Sequence, residues 1–395
     1  MLKDFIYDTT EKNSMKKALY KFLQKEKVAS KIDMLKEFKG QAPNTTLRRL
    51  INDLEDKGYI RTCGLGEPTG GRPPVLYEVV PEAGYLIGIE IARTHVEVLL
   101  VDMEFKVIDQ QNFFLTSEHT PKKTVSDIIT EAKALLELNG VQEELLIGVG
   151  VGSVGPINRE RGIILSPEAF SAEGWVDVKI VDMLRHEFDV PIFLENGVNA
   201  SSLAEYHFHT LNGKNILYCM SGYEIRGSFI SNGHMYNNKE GDSHSFGHII
   251  TVPNGKPCSC GNNGCLNTYA SLGAIFESIK EKQELTNDNN KKKIEKIDEL
   301  LRSIKDNETL IKEAIMESAY YYGLGLANMI NILHPDVVIL HGKLIYYFDE
   351  YFHEVVHQAR EHTFLKTKNT IEIRKSFLGE KAAAMGAALQ VFYKL

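Results

Sequence analysis

Three cysteines and a histidine make the strictest demand on how this chain can fold: His248, Cys258, Cys260 and Cys265 follow the spacing His-x9-Cys-x-Cys-x4-Cys. Three thiols and an imidazole are the ligand set of a closed tetrahedral zinc site, and Gly261 and Gly264 let the backbone turn tightly enough for the sulfurs to converge. A structural Zn2+ knuckle is expected here. Buried thiols or a disulfide pair are the alternative, but neither calls for a glycine-rich turn or a nearby histidine.

At 395 residues and 43% hydrophobic content the chain can bury substantial cores, enough for about two to three domains. The stretch from Met1 to Thr10 mixes charges with apolar residues, unlike a secretory signal. The longest uncharged stretch, Ser318 to Pro335, holds Asn328, Asn331, His334 and three tyrosines, so it reads as a buried helix rather than a bilayer span. Only Cys63 and Cys219 lie outside the cluster, which suits a reducing compartment. A cytoplasmic protein with no membrane partner is expected.

Charge divides the chain. Residues 1 to 80 carry 15 Lys+Arg against 11 Asp+Glu, a net of +4, and since the whole chain is −8 the remainder is −12. A basic head on an acidic body points to a polyanion met by the head alone. From Ser14, Met15, Ala18, Leu19 and Phe22 recur at helical spacing; Ser30 can cap a second helix with Ile32, Leu35 and Phe38 inward; Asn44 can cap a third, with Leu47, Ile51 and Leu54 inward. The opposite face of that third helix presents Thr45, Thr46, Arg48, Arg49 and Asn52, donors able to reach phosphates and base edges in a major groove. Strands at Tyr59 to Cys63 and Val75 to Val80 flank a glycine-rich tip bearing Arg72. Three helices followed by such a hairpin read as a winged helix-turn-helix spanning residues 1–80, with double-stranded DNA as its partner.

The body repeats itself. Tyr85 to Asp102 reads as strand, tight turn and strand, continuing through a third strand at Val107 to Phe114, and Asn215 to Ile230 with a turn at Asn232-Gly233 follows the same plan. A repeated opening hairpin suits an α/β, two-lobed, actin-like (RNase H-like) sugar-kinase fold. Residues 81–205 are assigned to lobe I, completed by a C-terminal helix over about 379–395, and residues 206–378 to lobe II with the zinc knuckle. The Lys- and Glu-dense stretch from Ile279 to Glu308 reads as an exposed helix-loop-helix.

The sequence resembles the ROK family (repressors, open reading frames and kinases), in the repressor form typified by xylose and N-acetylglucosamine repressors, over nearly its whole length. The likeness is carried by Gly70-Gly71-Arg72-Pro73-Pro74 before the first hairpin, by Gly148-Val149-Gly150 through Gly155-Pro156, and by Leu194-Glu195-Asn196-Gly197-Val198-Asn199-Ala200. Gly247-His248, the cysteine segment to Ser271, Asn328 to Gly342 and Gly386-Ala387-Ala388 continue it.

The resemblance also shows departures from kinase chemistry. It puts Gly197 where the kinases carry their catalytic aspartate, and glycine cannot accept a proton. Their first phosphate loop falls at Glu90-Ile91-Ala92-Arg93-Thr94 and the second at Gly222-Tyr223-Glu224-Ile225-Arg226-Gly227-Ser228, where Glu224 and Arg226 would crowd a triphosphate. His341-Gly342-Lys343 replaces a glycine pair beside the adenine. Sugar-binding carboxylates are replaced by Ser245 and Asn267. The resemblance therefore implies no enzyme activity, and an effector (a sugar or sugar derivative) held by Glu195, Asn196, Ser245, His248 and Asn267. The expected function is a DNA-binding repressor of carbohydrate-metabolism genes, a homodimer or tetramer, with a catalytically inactive sensing body. An active sugar kinase and a ligand-independent DNA-binding dimer are the alternatives.

Overall fold

The structure, a computed structural model, describes residues 2–68, 72–167, 170–209, 211, 213–236, 244–282, 309–364 and 371–394. Of the sequence expectations, the wing tip at Gly70 and Gly71 and most of the Ile279 to Glu308 segment lie outside these residues.

The head begins with α1 (Leu2–Tyr7) and α2 (Glu11–Glu26). Strand β1 (Ala29–Ser30) leads into α3 (Lys31–Glu37), where Ser30 and Asp33 form a reciprocal capping box that satisfies two otherwise orphaned N–H groups. The seven-residue α3 buries Met34 and Leu35, whereas Ile32, expected to point inward, is 49% exposed. Helix α4 (Asn44–Asp56) starts on the residue expected to cap it: Pro43 is the N-cap and Asn44 the first helical residue. Its Leu47, Leu50, Ile51 and Leu54 are buried. Strands β2 (Ile60–Leu65) and β3 (Val75–Val79) pair antiparallel, and β3 also pairs with β1, giving a three-stranded wing sheet.

Lobe I places β4 (Tyr85–Ile91), β5 (His95–Asp102), β6 (Val107–Phe114), β7 (Leu146–Ser153) and β10 (Ile192–Asn196) in the order β10-β7-β4-β5-β6, with helix α5 (Pro121–Leu138) crossing over before β7. The short strands β8 (Ile157–Asn158) and β9 (Ile163–Ile164) and helix α6 (Ile180–Arg185) intervene before β10, and α7 (Gly197–Phe208) follows it. Lobe II repeats the arrangement. Strands β11 (Ile216–Ser221), β12 (Ile225–Ser231), β13 (His234–Met235), β14 (Val337–His341) and β15 (Glu372–Lys375) stand in the order β13-β12-β11-β14-β15, again with three antiparallel strands followed by two parallel ones. Helices α8 (Asn267–Ala270), α9 (Leu272–Lys282), α10 (Thr309–Leu333), α11 (Lys343–Tyr347) and α12 (Asp349–His362) complete it.

The last helix, α13 (Ala382–Lys394), lies across lobe I. Its close approach needs glycines: a Cβ at Gly150 would sit 1.8 Å from Ala387 O, and one at Gly386 would sit 1.7 Å from Ala200 O. One continuous apolar cluster runs from Leu19, Leu23 and Ile51 of the head through Val101 and Phe105 of lobe I to Leu389 and Phe392 of α13. Phe392 stands between Tyr20 and Phe105, with ring centroids 6.2 and 5.2 Å away. Head and lobe I thus share a core, further tied by the Tyr7 hydroxyl on Ile147 O.

Candidate functional site

Three features could carry function: the outer face of α4, a knot of metal-type ligands, and the cleft between the lobes. On α4, burial of the leucine and isoleucine stripe turns Thr45, Arg48, Arg49 and Asn52 out to solvent, while Thr46 is half-buried. Asn52 accepts a hydrogen bond from Lys31 Nζ at 2.8 Å, and the Lys16–Asp53 ion pair holds α2 against α4. Arg72, beside β3, is exposed.

The ligand atoms of His248, Cys258, Cys260 and Cys265 all lie within 4.8 Å of one another. Cys258 Sγ is 3.4 Å from His248 Nδ1, and the Cys260 and Cys265 sulfurs are 3.6 Å apart. Tetrahedral Zn–S bonds of about 2.3 Å put sulfurs about 3.8 Å apart, so this donor set fits zinc with little movement. Burial and the neighbouring thiols push Cys265 up to about 12, an accumulation of would-be negative charge that a dication would relieve. Gly264 makes the turn: its φ is +79° and a Cβ there would fall 1.7 Å from Val252 O.

The knot also braces the cleft. Asn267, two residues beyond the last cysteine, accepts from Ile225 N at 2.8 Å, and Leu272 N donates to Gly222 O at 2.9 Å. Phe246 lies against Gly227, where a Cβ would meet its ring at 2.4 Å. The segment from Gly222 to Gly227 is therefore pinned from the side of the cysteine knot.

The cleft encloses about 190 Å³, lined from lobe I by Glu90, Arg93, Thr94, Ser153, Asn196 and Gly197 and from lobe II by the Gly222 to Arg226 turn, His341 and Lys343. Across it, Arg93 Nη2 lies 2.9 Å from Glu224 Oε2, and Arg226 Nη2 reaches the same oxygen at 2.7 Å. Arg93 also stands over the Tyr223 ring at 5.3 Å. All three charged side chains are nearly buried, 11%, 12% and 6% exposed for Arg93, Glu224 and Arg226. Glu90 and Glu380 both line the cleft, Glu97 sits directly opposite Glu90 on β5, and burial, then Glu97 and Glu380, raise Glu90 to about 8. Burial alone pulls His341 down to about 4, so it is neutral, stacked on Tyr218 and 3.0 Å from the Tyr346 hydroxyl.

At Gly197 the nearest atoms to an added Cβ would be Ser153 O at 3.6 Å and Ala383 Cβ at 3.9 Å. A side chain would fit there, and glycine offers none. Asn196 lines the cleft and caps α7, its Oδ1 accepting from Val198 N at 3.0 Å. Glu195 is drawn to other partners: Arg159 Nε at 2.6 Å, Asn196 N at 2.8 Å, Asn199 Nδ2 at 3.1 Å and Gln390 Nε2 at 3.2 Å. Ser245 is exposed, and His248 sits with the cysteines. The structure thus brings Asn196 into the cleft, commits Glu195 and Asn267 to protein contacts, and adds Arg93, Thr94, Ser153 and Tyr223 to the lining. The contact of Arg93 with Glu224 spans 131 positions, beyond any local pattern.

The ROK family pattern matches residues 86–392, beginning just after the wing sheet. A xylose repressor of Bacillus spizizenii is 29% identical over 87% of this chain and 86% of its own length. A ROK family transcriptional regulator, a homologue of Escherichia coli MLC, superposes with a TM-score of 0.75 at 20% identity, covering 96% of both chains. A ROK hexokinase from Thermus thermophilus has a TM-score of 0.65 at 23% identity, covering 78% of this chain and 98% of its own. The body fold is shared by regulators and kinases alike. No helix among the described residues is long and apolar enough to cross a membrane.

Proposed function

This chain belongs to the ROK family, and from that premise we propose that it is a cytoplasmic DNA-binding repressor of carbohydrate-metabolism genes whose kinase-like body has no catalytic role. The observation that carries the reading is the union of two features: a winged helix whose core continues into lobe I, and a cleft with glycine at position 197 and a carboxylate, Glu224, in its second phosphate loop. Phosphoryl transfer needs a proton acceptor and room for the nucleotide's phosphates. A body lacking both can still bind a small molecule and bias the head, provided that binding differs between DNA-competent and released states.

In this reading Arg48, Arg49 and Arg72 neutralise phosphates, while Thr45, Thr46 and Asn52 face base edges or sugar. His248, Cys258, Cys260 and Cys265 would hold Zn2+, which would cross-link the knuckle, and Asn267, two residues beyond Cys265, holds Ile225 N in the cleft wall. A sugar or sugar derivative enters beside Asn196, Ser153 and Tyr223; Glu195 and Asn267 shape that site from behind. Two half-sites of an operator would be met by a homodimer or a tetramer.

The test is an electrophoretic shift of the DNA upstream of the protein's own gene. Retardation that is lost in an Arg48→Ala/Arg49→Ala variant is expected, and indifference to that DNA would refute the reading. A kinase reading draws on the hexokinase likeness. ADP release with a panel of sugars decides it, and none is expected.

A further inference from the structure

Two arginines from opposite sides of the cleft converge on one oxygen of one carboxylate: Arg93, in the turn between β4 and β5, and Arg226, on β12, both reach Glu224 Oε2. The loops that carry them face each other as the two corresponding hairpins of the duplicated fold. Such a convergence of guanidiniums is the recognition geometry for a phosphate-type oxyanion, whose several oxygens take several N–H donors. Here the anion is part of the chain.

We infer that Glu224 is a tethered anion: it fills, between Arg93 of lobe I and Arg226 of lobe II, a cradle that would otherwise take a phosphate-type oxyanion, and by filling it ties the two lobes together without a ligand.

Three observations bear this out. The arrangement is asymmetric in charge, with two cations on one nearly buried carboxylate, and the Arg226 Nε atom is buried with no hydrogen-bond partner. Burial and the nearby Arg226 both press Arg93 below its usual range, and Glu224 opposes them, as expected where positive charge exceeds negative. Finally, the cradle is held in place: Asn267 fixes Ile225 N, the residue between Glu224 and Arg226. A carboxylate offers two oxygens where a phosphate offers three or four, and Arg226 Nε is the donor that a further oxygen could meet.

The consequence is self-exclusion. A free anion can enter only by displacing Glu224, whose effective concentration is that of an intramolecular partner. Neutralising it with an isosteric amide leaves both guanidiniums in place and vacates the charge.

The test uses the full-length protein, wild type and Glu224→Gln, titrated calorimetrically with inorganic pyrophosphate, alongside spin labels on the two lobes to read their separation. Glu224→Gln is expected to bind pyrophosphate at least ten-fold more tightly than wild type, and Arg93→Met added to it is expected to abolish the gain. Without pyrophosphate, the variant's interlobe distances should broaden towards longer values, and pyrophosphate should narrow them again. Metal content and melting temperature equal to wild type certify folding; should Glu224→Gln fail that check, Glu224→Ala serves with the same expectations. Equal pyrophosphate affinity in wild type and variant, or an interlobe distribution that ignores the substitution, would overturn the inference.

Discussion

Phe392 pins three parts of the chain at once. Its ring is 2% exposed, faces Tyr20 of α2 and Phe105 of the β5–β6 turn, and lies under the Lys21 ammonium at 5.6 Å. Phe392→Ala deletes a fully buried aromatic ring, which costs about 3–5 kcal/mol by lost transfer energy plus the cavity left behind. The upper half of that range is expected, because the neighbours belong to separate segments that cannot close on the void without moving head against body. The chain's one tryptophan supplies the assay: Trp175 is 4% exposed in lobe I and stacked on Phe170 at 4.4 Å. Guanidinium unfolding followed at Trp175 should show the loss although the substituted ring lies in another cluster, and limited proteolysis should cut the head faster. Phe392→Leu keeps most of the volume and should cost under about 1.5 kcal/mol. A Phe392→Ala loss under about 1 kcal/mol, or an unchanged rate of head cleavage, would refute the idea of a core shared between head and lobe I.

Chelation should release about one zinc per chain in a colorimetric assay and lower the melting temperature, and Cys265→Ser should abolish the metal; retention of full metal content by that variant would discard the four-ligand site. Arg48→Ala, Arg49→Ala and Arg72→Ala should each weaken operator binding and reduce its salt slope by about 1 in filter-binding titrations. For Glu90, raised to about 8, the folded state keeps a proton that the unfolded chain releases near its ordinary value. Its contribution is therefore fully present below about 4.5 and is lost as pH rises through about 8, at up to about 1.4 kcal/mol per pH unit. Glu90→Gln should flatten that slope in denaturant midpoints measured between pH 5 and pH 8, and an unchanged slope would assign it to another group.

Local signals in the sequence were enough for much of this. The capping box at Ser30 and Asp33 and the Leu47, Ile51 and Leu54 stripe depend on neighbours a turn away, so α3 and α4 were legible. The cluster of metal-type donors was legible because all four lie within one short segment and zinc chemistry restricts their type. Short elements read less well. In α3, only seven residues long, the apolar face takes Met34 rather than Ile32, and in the six-residue α1 the charges between Leu2, Phe5 and Ile6 mask the apolar face that these three bury. The cleft was the least legible part. Glu224 and Arg226 are visible as intruders in a phosphate loop, but their partner Arg93 comes from the other lobe. Likewise, Glu195 is claimed by Arg159 and Gln390, 36 and 195 positions away, contacts that only the folded chain reveals.

The placement of α13 has a consequence for how the protein is made. Residues 382–394 leave the ribosome only after both lobes have been made, yet they cover the sheet formed by β4, β7 and β10 and supply Phe392 to the head's core. Until they arrive, the sheet faces around Gly88 and Gly150 and the side of Tyr20 that meets Phe392 lack their α13 partner, and the nascent chain must carry them so through the synthesis of the whole second lobe. Loss of this helix alone would therefore do its damage far upstream, in the core that Leu19, Tyr20 and Ile51 of the head share with Phe392.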